Sequence, residues 1–398
     1  KFDMVKKPKK QAWYIKILAW IISFSSFIFR KQSIEKINME GLKPPYVLLC
    51  NHNAFLDFKV TTKALFPHGG NNVVAIDGFI HREGLLRKAG CICKRKFTND
   101  TMLIRHLLYV KNVLKEVIIL YPEARYSLVG TNEKIPDSLG KLMKLLKIPV
   151  VTLITKGHHI DAPVWNLKPK NNPVAATVQQ IVTQEEVESM TQEEINARID
   201  AYFVYDDYQW QKDNKIKITS PKRAEGLHKV LYQCPSCKTE HRMDSKDNSL
   251  FCTACKKEYV LDEYNQLHAT SGVTEFSHIP DWYRWEREQV KQQILAGTYY
   301  IKDEVDVDSL PNAKGFINIG PGTLVHDANG FVLEFMQGEE KVRLEKDVLS
   351  MYSAHIEFDY NNKGDCVDLS TLDDTYYLYF KTLTNVVTKI HFATEELY

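Results

Sequence analysis

The chain has 398 residues, of which 44% are hydrophobic and 26% are charged. One hydrophobic core rarely serves more than about 250–300 residues, so this length predicts two or three domains. The formal net charge of +2 provides no global field that would attract nucleic acid, and no nucleic-acid partner is expected.

Residues 1–35 combine cations with an apolar run at 12–29, which Arg30 and Lys31 follow. The run is shorter than the about 20 apolar residues of a membrane-spanning helix, and its aromatic residues are typical of a membrane interface. The residues before it include five lysines: Lys1, Lys6, Lys7, Lys9 and Lys10. We interpret 1–35 as helices that lie on an anionic membrane surface, in a peripheral or monotopic way. A buried core helix and a single membrane span are the alternatives.

Residues 46–207 alternate short apolar runs with helical segments. The runs predicted as buried strands are 46–50, 73–76, 117–121 and 150–154. The segments predicted as helices are 57–66, 84–88, 101–114 and 191–202, the last beginning with a capping box. This alternation predicts an α/β domain at 36–222, with a largely parallel sheet flanked by helices.

The residues NHNAFLD at 51–57 directly follow the first of these strands, where α/β proteins bind their ligands. A neutral imidazole can accept a proton from a hydroxyl group, and a carboxylate behind it fixes the tautomer. His52 and Asp57 are therefore a candidate general base and its orienting partner. The spacing alone is weak, since about one such pair is expected by chance, and a loop histidine beside an unrelated aspartate is the alternative.

Three further blocks accompany this one. The residues YPEARYS at 121–127 follow another buried strand, and Arg125 could bind phosphate through its forked donors. A surface ion pair is the alternative for this block. The residues GCICKR at 90–95 end in a basic pair, and IPVV at 148–151 begins a strand.

Together, and in this order, the four blocks resemble those of the glycerolipid acyltransferase family, specifically the bacterial 1-acylglycerol-3-phosphate acyltransferases. The family has Asn-His-x4-Asp first, then a glycine with an arginine a few residues later. Phe-Pro-Glu-Gly-Thr-Arg-Ser comes third, and an apolar strand entered through proline comes fourth. The resemblance extends over 17–207, roughly half of the chain, and is carried by the set in order rather than by any single block.

The resemblance implies transfer of an acyl chain from acyl-CoA or acyl carrier protein to the free hydroxyl of lysophosphatidic acid. It implies an enzyme on the cytoplasmic face of the cell membrane, without a catalytic cofactor. The residues it implicates are His52 and Asp57 in catalysis, and Arg95, Glu123, Arg125 and Ser127 in substrate binding. Glycerol 3-phosphate or another lysolipid is an alternative acceptor, and a non-catalytic membrane-bound scaffold is an alternative function.

The third block departs from the family pattern in three consecutive residues. Ala124, Arg125 and Tyr126 stand where the family has glycine, threonine and arginine. This departure puts the specificity for the acceptor in doubt.

A second motif lies outside the resemblance. Two Cys-x2-Cys pairs, Cys234 with Cys237 and Cys252 with Cys255, are separated by fourteen residues. This spacing predicts a zinc ribbon at 223–270, with a closed four-thiolate site that is structural rather than catalytic. The other cysteines are scattered, which fits a reducing cytoplasm.

Residues 271–398 are predicted to contain an amphipathic helix at 281–294 and an antiparallel β domain. Strand-like runs after 315, among them KIHF at 389–392, alternate with Asn-Gly and Asn-Lys-Gly turns at Asn329 and Asn362. The role of this region is open.

Overall fold

The computed structural model describes residues 3–28, 30–98 and 100–398. Its first part is a seven-stranded sheet with the order β1-β7-β6-β2-β5-β3-β4. Neighbouring strands are parallel except β6 and β7, so β1 and β7 run opposite to the other five. The strands are β1 (Gln32–Ile37), β2 (Val47–Cys50), β3 (Gly70–Ala75), β4 (Ile92–Lys94), β5 (Val117–Leu120), β6 (Val150–Lys156) and β7 (Val174–Val182).

Among the described residues, nine α-helices accompany this sheet. They are α1 (Trp13–Ser25), α2 (Leu56–Leu65), α3 (Glu83–Lys88), α4 (Thr101–Tyr109), α5 (Ser138–Leu146), α6 (His158–Asp161), α7 (Gln184–Ser189), α8 (Gln192–Tyr202) and α9 (Asp207–Asp213). The predicted capping box at the start of α8 is present, since Thr191 and Glu194 bond each other's backbone N–H. The expected mixed α/β class with a largely parallel sheet is confirmed.

The four-cysteine module, residues 223–270, contains a second, antiparallel sheet. Its strands are β8 (Met243–Lys246), β9 (Ser249–Cys252), β10 (Glu258–Leu261) and β11 (Leu267–Ala269). The amphipathic helix predicted at 281–294 is α10 (Ile279–Leu295), which buries Trp282 and Val290.

A third sheet, antiparallel throughout, has the order β15-β14-β13-β12-β18-β17-β16. Its strands are β12 (Ile301–Ser309), β13 (Ile317–Asp327), β14 (Gly330–Gln337), β15 (Glu340–Asp347), β16 (His355–Glu357), β17 (Cys366–Ser370) and β18 (Thr375–Phe380). The prediction of a strand at 389–392 is wrong, because these residues belong to helix α11 (Val387–Leu397).

The N-terminal prediction needs correction in two respects. One helix, α1, is present where helices were expected, and residues 32–37 join the first sheet as β1. Lys1 and Phe29, which the predicted segment included, lie outside the described residues. No helix in the described ranges is both long and apolar enough to cross a bilayer.

The predicted regions share one large, continuous hydrophobic cluster, although the strands and helices of the first sheet also form clusters of their own. The continuous cluster includes side chains from loops of the first sheet, from the four-cysteine module, from α10, from the third sheet and from α11. Representative members are Leu128, Trp165, Tyr259, Trp282, Leu333 and Phe392. The C-terminal half is therefore packed directly against the loops that follow the strands of the first sheet.

Candidate active site at His52

The loops after β2, β5 and β6 meet at one edge of the first sheet, because these neighbouring strands are parallel. Asn51 joins two of the strand ends. Its amide nitrogen donates to the Thr155 carbonyl at 3.0 Å, and its amide oxygen accepts from the Thr155 backbone N–H at 2.8 Å. Both residues are buried, and these hydrogen bonds fix the point at which the loop that begins with His52 leaves β2.

His52 and Asp57 are brought together as predicted from their spacing. The distance from His52 Nδ1 to Asp57 Oδ2 is 3.1 Å, and the same oxygen accepts the backbone N–H groups of Asn53 and Ala54. Asp57 is fully buried at the start of α2, whereas the His52 side chain is 26% exposed. With Nδ1–H donated to the carboxylate, the neutral ring presents Nε2 as a proton acceptor.

The environment of Asp57 favours its ionised form. Burial acts to raise its pKa, but hydrogen bonds from His158 and His52 hold this pKa well below the usual range. His158 is a contact that the sequence reasoning missed. Its Nδ1 lies 2.5 Å from Asp57 Oδ1, opposite the oxygen that His52 contacts. The available signal was a Gly-His-His sequence at 157–159, two residues after the predicted strand 150–154.

The rings of Tyr121 and Tyr126 both lie against the ring of His52, with centroid distances of 4.3 Å and 4.2 Å. Tyr126 is the residue that stands where the resembling family has arginine. An aromatic side chain therefore occupies the position at which the resemblance implies a phosphate-binding cation.

Glu123 is buried and holds the backbone at His52. Its carboxylate accepts the backbone N–H of His52 at 3.2 Å and that of Glu133 at 2.9 Å, and the Tyr205 hydroxyl donates to it as well. Burial raises the pKa of Glu123 to about 7, although the Glu133 backbone hydrogen bond acts to lower it. Ala124, in the family's glycine position, has φ of 57°, a conformation that glycine adopts more readily.

Ser127 also contacts His52 through the backbone. Its N–H donates to the His52 carbonyl at 2.7 Å, and its hydroxyl donates to the Thr131 carbonyl at 2.7 Å. Glu123 and Ser127 are fully buried or nearly so, and these hydrogen bonds fix the backbone on both sides of the imidazole. This arrangement suits positioning of His52 rather than direct contact with a substrate.

Arg95, implicated in phosphate binding by the resemblance, is instead bound to the C-terminal half. Its guanidinium donates to the carbonyl oxygens of Leu310, Pro311 and Asp373 and to the Thr375 hydroxyl, at 2.8–2.9 Å. The side chain is 2% exposed. Both Nη atoms of Arg95 are therefore bound by residues of β18 and of the loops beside β12 and β18, whereas its Nε has no hydrogen-bond partner among the described residues. The predicted contact of Arg95 with a substrate stays a prediction.

Arg125 lies in a second buried network that involves α11. Its Nη2 lies 3.1 Å from Glu133, 3.1 Å from Glu395 and 3.0 Å from His391. Glu133, His391 and Glu395 are close enough to resemble a metal site, but the arginine already supplies the central cation. Nε and Nη1 of Arg125 have no hydrogen-bond partner within the described ranges, and its predicted contact with a substrate stays a prediction.

Substitution Arg95→Lys is expected to lower the free energy of unfolding by about 1–3 kcal/mol, because one ammonium cannot satisfy four spread acceptors. The Michaelis constant for any acceptor should not change. Urea denaturation and steady-state kinetics measure the two effects, with exposed Arg105→Lys as the control. A raised KM for the acceptor, with an unchanged free energy of unfolding, would instead indicate that Arg95 contacts the substrate.

The four cysteines of the predicted ribbon form one cluster, with all sulfurs within 4.8 Å of one another. The Sγ atoms of Cys234 and Cys255 are 3.7 Å apart, and those of Cys237 and Cys252 are 3.8 Å apart. Sulfurs bound tetrahedrally at about 2.3 Å from zinc are separated by about 3.8 Å, so these distances fit such an ion.

The two Cys-x2-Cys turns also have the same backbone geometry. Lys238 N–H donates to the Cys234 carbonyl, and Lys256 N–H donates to the Cys252 carbonyl, at 2.9 and 3.0 Å. Both lysines have positive φ, 63° and 64°. This repeated geometry directs four thiols to one point, and the cluster can hold a metal ion.

The fold and the site together define a mixed α/β protein with a histidine–aspartate pair at the carboxyl edge of a largely parallel sheet. No protein-family model and no curated protein sequence matches the chain. A similar solved structure is the 1-acyl-sn-glycerophosphate (LPA) acyltransferase PlsC from Thermotoga maritima, with 14% identity and a TM-score of 0.38. The match covers 48% of this chain and 75% of that chain, and it carries no conclusion about function.

Proposed function

We propose that the protein is an acyltransferase in which His52 is the general base and Asp57 orients it. The observation that carries this proposal is the 3.1 Å contact of His52 Nδ1 with the buried Asp57, on a partly exposed imidazole at the carboxyl edge of the sheet. The four ordered sequence blocks favour acyl transfer over other reactions that use such a pair.

In this reaction, Nε2 of His52 takes the proton from an acceptor hydroxyl as its oxygen attacks the thioester carbonyl of the acyl donor. The carbon–sulfur bond then breaks, and the leaving thiolate takes the proton from the imidazolium. The products are an ester and a free thiol, and His52 is neutral again. The ionised Asp57 stabilises the imidazolium while it carries the proton.

The acceptor is proposed as a glycerolipid-like hydroxyl, with lysophosphatidic acid favoured by the resemblance and glycerol 3-phosphate or another lysolipid as alternatives. Because Arg95 and Arg125 contact residues of the C-terminal half, we favour an acceptor whose binding does not require these two arginines. The acyl donor is proposed as acyl-CoA or acyl carrier protein. The test is purified protein with a labelled donor and a panel of lysolipids and glycerol 3-phosphate, with products identified by mass.

A non-catalytic scaffold is the second candidate, and one observation favours it. Both arginines that the resemblance assigns to phosphate are bound to the C-terminal half. Absence of acyl transfer with every donor and acceptor in the panel would favour this candidate over the enzyme.

The protein is further proposed to bind an anionic bilayer, on the cytoplasmic face of the cell membrane, through α1 and α2. Exposed apolar side chains on α1 are Trp13, Tyr14, Ile17, Leu18, Ile21, Ile22 and Phe24. Phe66 packs edge-on against Trp20 and Phe24 of α1. Phe58 on α2, together with Phe55 and Phe66 at the two ends of this helix, continues an exposed aromatic stripe.

The aromatic stripe ends beside the candidate site. Phe55, which is 71% exposed, lies between His52 and Asp57 in the sequence. Lysines that precede α1 in the sequence, including Lys6, Lys7 and Lys10, suit the headgroups of anionic lipids. A lipid acceptor bound along this stripe would reach His52 without leaving the membrane interface.

Substitution of Trp13, Ile17 and Ile21 together by glutamine is expected to weaken vesicle binding at least about tenfold, since each buried apolar side chain contributes roughly 1.5–3 kcal/mol. Sedimentation with vesicles containing phosphatidylglycerol measures the effect. The matched control replaces three residues elsewhere that are at least as exposed, Val273, Leu349 and Leu372, by glutamine. Equal weakening in both variants would contradict a specific role for α1.

Zinc is proposed as the ion of the four-cysteine module, held by Cys234, Cys237, Cys252 and Cys255. The sulfur–sulfur distances and the repeated turn geometry support this proposal. Four thiolates leave no open coordination position, so the ion would stabilise the fold and take no part in the reaction.

A further inference from the structure

A second histidine contacts the carboxylate that orients His52. His158 Nδ1 lies 2.5 Å from Asp57 Oδ1, and His52 Nδ1 lies 3.1 Å from Asp57 Oδ2. The carboxylate therefore bridges two imidazoles, one on each oxygen. His158 and Asp57 are both fully buried, whereas His52 is partly exposed.

The order of strands in the first sheet places His158 beside Asp57. Strand β6 lies parallel to β2, so the loops that contain His158 and His52 begin side by side. Gly157 turns the chain between β6 and α6 with φ of 81°. A Cβ at this glycine would lie 2.5 Å from the Trp210 ring and 3.0 Å from the Pro173 carbonyl, so no other residue fits without a shift.

His158 cannot act on a substrate directly, because its side chain has no exposed surface. Nor does it look like an ordinary core histidine, whose two nitrogens are usually satisfied by neighbouring groups. Its Nε2 has no hydrogen-bond partner among the described residues, and its one strong contact is with Asp57. The hydrogen bond that the His158 side chain makes is therefore the one to the Asp57 carboxylate.

We propose that His158 is a positioning residue of the His52 site, which donates its Nδ1–H to Asp57 Oδ1 and so presents Oδ2 to His52. This inference rests on the proposed function for the chemical role of His52. The geometry gives the carboxylate a donor on each side, with the N–H groups of Asn53 and Ala54 on Oδ2. With the Thr155 hydroxyl, which lies 3.5 Å from Oδ1, five donors fix the orientation of the carboxylate plane.

Loss of the hydrogen bond from His158 should change the interaction between Asp57 and His52 in one direction. Because fewer donors would then stabilise the negative charge of Asp57, the carboxylate would stabilise a protonated His52 more strongly. The other titratable groups that act on Asp57 or His158 are Cys50 on β2, Tyr121 and Tyr126 after β5, and Asp207 on α9. Since all of them are retained in a His158 variant, the change isolates the contribution of the second imidazole.

The test compares His158→Leu, which has no donor, with His158→Asn, whose amide N–H occupies the Nδ1 position. In His158→Leu we expect kcat to fall about tenfold or more with little change in KM, because the carboxylate loses its fixed orientation. The acid limb of the pH–rate profile should move to higher pH by at least about half a unit. Both effects should be largely reversed in His158→Asn.

His159→Leu is the matched control, since His159 is the next residue, is equally buried and pairs with Tyr208 rather than with Asp57. It should lower stability and leave the acid limb unchanged. If His158→Leu does not fold, His158→Gln replaces it, because its amide reaches the Nε2 position and leaves Oδ1 with only the longer contact from the Thr155 hydroxyl.

A readout independent of turnover separates this inference from the proposed function. The NMR titration of the His52 ring, assigned by its loss in His52→Ala, should move to higher pH in His158→Leu and return in His158→Asn. Titration midpoints and pH profiles identical to wild type in both variants would overturn the role of His158. A wild type without acyl transfer would overturn the proposed function, while the titration would still decide the link between the two histidines.

Discussion

Replacement of His52 by alanine is expected to lower kcat for acyl transfer by at least about a hundredfold, because general-base assistance of this kind contributes about 10²–10⁴-fold. Binding of lipid and donor should remain, since the stripe on α2 and the surrounding loops are unchanged. The measurement is the initial rate of ester formation at saturating substrate, with the acceptor that the wild type uses best.

Asp57→Asn should be impaired as well, because the amide can stabilise the wrong tautomer of His52 and does not stabilise the imidazolium. The double variant should be little worse than His52→Ala, since the two residues act as a unit. A suitable control is His268→Ala, which breaks an exposed histidine–aspartate pair with Asp262 in the four-cysteine module. Full activity in His52→Ala would overturn both the mechanism and the acyltransferase proposal.

The second large effect is expected at the four-cysteine module. Wild-type protein should contain about one zinc per chain, and Cys252→Ser should lose most of it. Structural zinc contributes apparent free energies of about 10–16 kcal/mol in zinc-finger peptides, so a large drop in stability should accompany the loss. Elemental analysis and urea denaturation measure these two quantities.

Loss of the metal should also affect regions outside the module, because Tyr259 on β10 packs against Trp282 of α10 in the continuous hydrophobic cluster. Cys366→Ser is the control, since this buried cysteine lies on β17 and belongs to no metal cluster among the described residues. It should retain the full zinc content. Equal zinc in wild type and Cys252→Ser would refute the assignment.

The features that could be predicted from the sequence were those set by local patterns. The apolar runs before Asn51, Tyr121 and Lys156 are strands in the structure, and the pairing of His52 with Asp57 follows from the turn at the end of β2. The spacing of the four cysteines likewise predicted a cluster that the structure contains. Each of these features depends on residues that are close in sequence or on a simple repeat.

Helix α11 shows why one element was assigned wrongly. All residues from 387 to 395 are buried, so the segment lacks the polar face that reveals a helix. A short apolar run without such a face cannot be told from a buried strand by its periodicity. The β-branched Val387, Thr388 and Ile390 then favoured the strand interpretation.

The contacts of Arg95, Arg125 and His158 could not be predicted from local sequence patterns, for a different reason. Arg95 and Arg125 each have acceptors more than 200 residues further along the chain, although Arg125 also contacts the nearby Glu133. No spacing rule predicts which distant carbonyl or carboxylate will face a given guanidinium. His158 contacts Asp57 across 101 residues, although the order of parallel strands would have brought the two loops together.

The contacts of Arg125 have a consequence for biosynthesis. On the ribosome, a nascent chain that has been synthesised to residue 380 already contains His52, Asp57 and His158, but it lacks His391 and Glu395. Arg125 would then be a buried cation without two of its partners, in the segment that holds the backbone of His52. The geometry of the site is therefore completed only after α11 has emerged and packed.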